Sequence, residues 1–269
     1  MKTKLLFSVI IVMFLSITSC GNDEDNLAST RSYDPEVMTS RACFNMERPK
    51  DAYLYPVVPG TDEWSALHEQ GLEAVYKALR VPHSTLRKMS TMGLIQTYLD
   101  YPYRPNTALS NSSAFFPYFL EHFEIDETCK SIYNELKRRS DVEVSLMTFY
   151  RAFVYNPASY YADMAFQNLN MMASIDVFYK QLDTKEKKEF IKIALEKEEI
   201  FDEDNKYWYT PYACFLIARL MYSENFTPFV ETIDKVEFCE SFLNDMDMCF
   251  WEDENNRDLI LDLGREFVK

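Results

Sequence analysis

Apolar positions along this chain recur mostly at three- and four-residue intervals, the spacing that gathers side chains on one face of an α-helix. Thr61 caps the first such stretch, Asp62 and Glu63 suit the positive end of the helix dipole, and Trp64, Leu67, Gly71, Leu72, Val75 and Leu79 predict one inward face. Pro82 opens a short helix reaching Met89. Ser90-Thr91 starts the next, with Leu94, Ile95, Tyr98 and Leu99 inward, stopped by Asp100-Tyr101-Pro102. Pro117 inside Ala114–Phe123 predicts a kink or a late start. Asp126 caps Glu127–Arg139, and Ser140 with Glu143 has the spacing of a capping box for a helix that Pro157 ends.

The pattern continues through Ser159–Leu182 and then through a second capping box, Asp183 with Glu186, ahead of Phe190, Ile191, Ala194 and Leu195. Thr210-Pro211 begins a helix that is apolar nearly all round and is predicted to lie at the centre. Thr227-Pro228 repeats the start signal, with a break near Asp234 before Glu237–Asp245. Asn255 or Asn256 opens the last helix, with Leu259, Ile260, Leu263 and Phe267 inward. No strand pattern is convincing, and five glycines in the whole chain are too few for the corners of a β-sandwich. No fixed repeat of roughly 30–45 residues is found. The prediction is an all-α fold, a single compact or loosely superhelical domain of about ten helices over residues 46–269.

Ahead of that domain, Leu5 to Leu15 is apolar apart from Ser8 and follows Lys2 and Lys4. The run is too short to span a bilayer and has the layout of a secretory signal. Ile17-Thr18-Ser19-Cys20 resembles a bacterial lipobox. That resemblance implies a signal peptide over residues 1–19, diacylglycerol on the Cys20 sulfur, an acyl chain such as palmitate on its new amino group, and hence membrane attachment through lipid. Residues 20–45 read as a polar, acidic tether. Within it Asn22-Asp23-Glu24-Asp25 resembles the export signal of surface lipoproteins in the Bacteroidota, which implies an outer-membrane anchor facing the cell surface. Leu86–Pro102, with Ile193–Ile200 more loosely, resembles segments of an uncharacterised all-helical lipoprotein group of the same phylum. The resemblance implies a helical surface protein and supplies no activity.

A net charge of −15 makes nucleic acid an unsuitable partner. Beyond Cys20 the cysteines are Cys43, Cys129, Cys214, Cys239 and Cys249, an odd number without CxxC spacing, so they read as core thiols. Cys239 and Cys249 are the pair to inspect first for a disulfide.

Candidate chemistry is sparse. His68-Glu69 begins like a zincin motif, but Leu72 stands where the second histidine belongs, and His83 and His122 are far away in sequence. Asp245 and Asp247 fit the start of a calcium loop, and Cys249 and Phe250 then occupy the next ligand and glycine places. No nucleophile elbow or phosphate-cradling glycine loop occurs, so no metal and no cofactor is expected. Aromatics are the remaining signal. Phe115–Phe119 is expected to fill the core. Tyr207, Trp208, Tyr209 and Tyr212, flanked by polar residues, are the candidate ligand-binding set. These features predict a non-catalytic binding or interaction module for a glycan or a protein partner. The alternatives are a surface hydrolase using two carboxylates about 5–10 Å apart, and a structural subunit of an envelope complex.

Overall fold

The computed structural model describes residues 43–105, 114–154, 160–203, 210–253 and 255–269. Cys20, the tether up to Ala42, and Tyr207, Trp208 and Tyr209 lie outside the described residues. Among the described residues the secondary structure is helical, without strands.

Thr61 starts α1 (Asp62–Glu69), its hydroxyl accepting from the Trp64 amide at 3.1 Å. The single apolar face expected up to Leu79 is split in two. Gly71 sits at φ +98°, a conformation that a side chain disfavours, and the chain restarts as α2 (Leu72–Ala78). After α3 (His83–Leu86), Ser90 caps α4 (Thr91–Leu99) by accepting from Gly93 N. Asp51, in a turn ahead of α1, reaches the same helix end and accepts from both the amide and the hydroxyl of Ser90. A Cβ on Gly93 would stand 2.5 Å from Asp51 Oδ1, so this close approach needs glycine.

α5 (Phe115–Ile125) carries Pro117 in its first turn, where an amide has no intrahelical partner, so the proline marks a late start and not a kink. Asp126 caps α6 (Glu127–Leu136) through the Cys129 amide at 2.8 Å. The capping box expected at Ser140 and Glu143 does not form. Asp141 occupies the cap position without a side-chain cap bond and accepts instead from the Thr91 hydroxyl, and Glu143 turns inward in α7 (Val142–Ala152). This helix ends at Ala152, before Pro157, because the incoming chain pairs with its exit. Phe44 and Phe153 form an isolated antiparallel bridge, with Asn45 N to Ala152 O and Val154 N to Cys43 O both at 2.7 Å. Lys197 donates to the carbonyls of Arg151 and Phe153, a cation at a helix C-terminus.

The stretch Ser159–Leu182 is likewise two helices, α8 (Tyr160–Ala173) and α9 (Asp176–Tyr179), interrupted where Ser174 Oγ bonds the Asn170 carbonyl. α10 (Thr184–Glu203) begins on the predicted box, with Asp183 N to Glu186 Oε2 at 2.9 Å and Glu186 N to Asp183 Oδ1 at 2.8 Å. α11 (Thr210–Ser223) is the central helix the pattern predicts. Nearly all of its side chains are buried, against α8, α10, α12 (Thr227–Ile233), α13 (Cys239–Asp245) and α14 (Asn255–Val268). One hydrophobic cluster runs from Cys43 through to Phe267, and the described residues all fall in one compact unit. Two of its buried tyrosines are paired across helices: Tyr98 Oη donates to Asn168 Oδ1 at 2.7 Å and Tyr150 Oη to Asn170 Oδ1 at 2.8 Å. The five described cysteines are free thiols, so Cys239 and Cys249 are not bonded to each other. Among the described residues no helix is long and apolar enough to cross a membrane.

Candidate functional site: rings and imidazoles around Tyr103

Two helices each present an aromatic ring and a histidine one turn apart, Trp64 with His68 on α1 and Tyr118 with His122 on α5. The turn that follows α4 brings Tyr103 between them. His68 Nε2 meets the Tyr103 hydroxyl, and His122 Nε2 lies 3.1 Å from the Tyr103 carbonyl oxygen. Around the Tyr103 ring stand Tyr76 of α2 at 5.3 Å between centroids, Trp64 at 5.6 Å and His68 at 6.1 Å, while Trp64 and His68 are 4.5 Å apart.

The partners assign the tautomers. His68 Nδ1 lies 2.9 Å from the Trp64 carbonyl, which can only accept, so Nδ1 carries the hydrogen. In the neutral ring Nε2 is then a lone pair, and the Tyr103 O–H donates to it. His122 takes the opposite form: Nε2–H donates to the Tyr103 carbonyl, and Nδ1 is left as a buried lone pair without a partner. Burial pulls the His122 imidazole below its ordinary value, against the raising influence of Asp126 and the Tyr103 carbonyl. Burial and the neighbouring Tyr76 push the Tyr103 phenol up to about 12, and burial raises Tyr76 and Tyr118 as well. The hydroxyls therefore stay protonated at neutral pH. Protonated, they can donate or accept hydrogen bonds and are not activated nucleophiles.

A second layer fixes this one from beneath. Tyr101 Oη donates to Asp126 Oδ2 at 2.7 Å, and the other Asp126 oxygen caps α6. Tyr55 packs on Tyr101 and donates to the Thr97 carbonyl at 3.1 Å. On the outer side, Tyr76 is 44% exposed and Leu72, one turn before it, is 39% exposed.

The residues singled out from the sequence fall elsewhere. Cys20, Tyr207, Trp208 and Tyr209 lie outside the described residues. Tyr212 sits in the first turn of α11, 6% exposed and part of the core, so its ring offers no open face. Phe116 and Phe119 are core, as expected, but Tyr118 between them belongs to the cluster at Tyr103. Asp247 accepts from the Cys249 amide at 3.0 Å, the local cap of a 3-10 turn over Met248–Glu252. Among the described residues no three His, Cys, Asp or Glu side chains converge as a metal site. Glu143, held up to about 7 by burial with Asp141 and Glu186 nearby, is buried inside the fold and presents no open carboxyl.

A second aromatic cluster surrounds Arg219. Its guanidinium donates to the Leu243 carbonyl at 2.9 Å and to Asp176, and lies 4.7 Å from the Phe116 ring centre and 5.3 Å from that of Phe215. Tyr179 and Lys180 complete the partners of Asp176. This cluster binds α5, α9, α11 and α13 together and is a fastening within the fold.

Sequence reasoning missed the Tyr103 surface because it searched for histidine paired with histidine. The pairing in the molecule is aromatic with histidine at four-residue spacing, twice. Compared with protein-family models, with curated proteins and with solved structures, the chain finds no match, so its reading rests on these residues alone.

Proposed function

We propose that this chain is a binding module of the cell envelope, held at the outer membrane by lipid on Cys20 and facing out of the cell, and that it takes a glycan or a protein partner on the Tyr103 surface. The observation that carries this reading is the set of partly exposed ring faces, Trp64, Tyr76 and Tyr103, held in place by two histidines whose tautomers are fixed by their partners. Such rings give large contact area at low entropic cost, and their polar tips supply direction. The neutral phenols supply no activated nucleophile.

The test is cross-linking in intact cells expressing the native chain, followed by mild detergent extraction and mass spectrometry. A Cys20→Ala chain serves as the unanchored control and Tyr76→Ala as the surface control. The reading expects a bound partner or glycan that is lost in Tyr76→Ala. Recovery of the same companions with Tyr76→Ala would place the binding surface elsewhere.

A further inference from the structure

The groups that meet at Tyr103 are rings, phenols and imidazoles; none is a carboxylate, an ammonium or a guanidinium. A ligand held there is recognised by apolar faces and by neutral hydrogen bonds. The direction of one of those bonds is already decided. Because the Trp64 carbonyl fixes the hydrogen of His68 on Nδ1, the Tyr103 O–H is spent on His68 Nε2, and its oxygen keeps only acceptor capacity for a further bond. The ligand group that meets it must donate. The rings around it are tilted to one another, 30° between Trp64 and Tyr103 and 41° between Tyr76 and Tyr103, so they are not parallel plates. A chain with net charge −15 repels polyanions from the same face.

A neutral saccharide meets all of these conditions. Its ring C–H groups pack on aromatic faces, its hydroxyls donate, and it carries no charge. We infer that the Tyr103 surface holds a neutral sugar ring, packed on Tyr76 and Trp64, with one ring hydroxyl donating to the Tyr103 phenol oxygen. The inference rests on the binding-module reading above and narrows it to one ligand class.

The test uses the natively processed, lipid-bearing protein in detergent, titrated calorimetrically with neutral hexose and pentose oligosaccharides and with one sulfated oligosaccharide as the anionic control. At least one neutral sugar is expected to bind and the sulfated one is not. Tyr76→Ala is expected to weaken binding about tenfold, the loss of one exposed ring face. Tyr103→Phe keeps the ring and removes the acceptor, and is expected to weaken it about fivefold, the scale of one neutral hydrogen bond. Tyr222→Ala, an exposed tyrosine on α11, is expected to leave the affinity unchanged. Binding that survives both Tyr76→Ala and Tyr103→Phe would overturn the inference, and so would a panel in which no neutral sugar binds. If the panel is silent while a cross-linked protein partner is lost in Tyr76→Ala, the saccharide falls and the binding module stands. If neither sugar nor partner depends on Tyr76, both readings fall together.

Discussion

The clusters around Tyr103 and Arg219 are built from the same materials, tyrosine and phenylalanine rings with a nitrogen heterocycle or guanidinium among them, and they end in opposite states. At Arg219 the polar demand is turned inward: the guanidinium reaches the Leu243 carbonyl and Asp176, rings flank it, and its side chain is 12% exposed. At Tyr103 backbone carbonyls and the phenol hold both nitrogens of His68 and one of His122, and the Tyr76 ring beside them is 44% exposed. A charged centre in a core gathers partners and closes around them, here the Leu243 carbonyl and Asp176, although Arg219 Nε stays buried without one. A neutral centre can keep one valence in reserve at little cost.

The difference is tested most severely by Arg219→Met. It strips Asp176 and the Leu243 carbonyl of a donor and is expected to cost about 2–3 kcal/mol in urea unfolding, less than for a fully buried pair because Asp176 is half exposed. A loss below about 0.5 kcal/mol would mean the cluster fastens nothing.

Glu143 sharpens the contrast from the side of unmet charge. Its folded-state value, about 7, stands above the ordinary 4.5, so the folded chain holds this proton more tightly than the unfolded one. Its contribution to stability is fully present below about 4.5 and is lost as pH rises through about 7. Glu143→Gln is therefore expected to raise stability above pH 7 by on the order of 1–2 kcal/mol and to flatten the melting-temperature profile in that window. A profile parallel to that of the parent chain would show that the carboxyl finds a partner when charged.

Smaller effects follow at the edges. Gly93→Ala pushes Asp51 off the N-terminus of α4 and is expected to cost about 1 kcal/mol, the scale of a lost cap, read by thermal melting. Tyr103→Phe is expected to cost about 1 kcal/mol and to move the His68 side-chain nitrogen signals in NMR, since Nε2 loses its donor. Tyr76→Ala closes the series with a change within about 0.5 kcal/mol in stability, because its ring lies at the surface.

Local signals were legible where both partners sit within one turn and no distant residue competes for them. The box between Asp183 and Glu186 forms as its spacing predicts, and so do the caps at Thr61, Ser90 and Asp126. The burial of α11 was legible because its residues are apolar on every side. Ser140 and Glu143 carry the same spacing as Asp183 and Glu186 and behave differently, since Thr91, 50 residues away, engages Asp141 and the core takes Glu143. Nothing near Ser140 announces that competition. The Tyr103 surface was illegible for the same reason. Its members span Trp64 to His122 and meet only once α1, α2, α5 and the turn after α4 have packed.

The bridge between Phe44 and Phe153 has a mechanical meaning as well. Any pull arriving along the chain ahead of Cys43 meets two backbone bonds, the Phe44 ring wedged against Phe149 and Phe153, and then the grip of Arg48 on Asp100 and the carbonyls of Ala52 and Tyr53. All of these come before α1. Force applied to the chain ahead of Cys43 would thereby pass into α4 and α7, and the helices that carry Trp64, His68 and Tyr76 would stay slack behind the clamp.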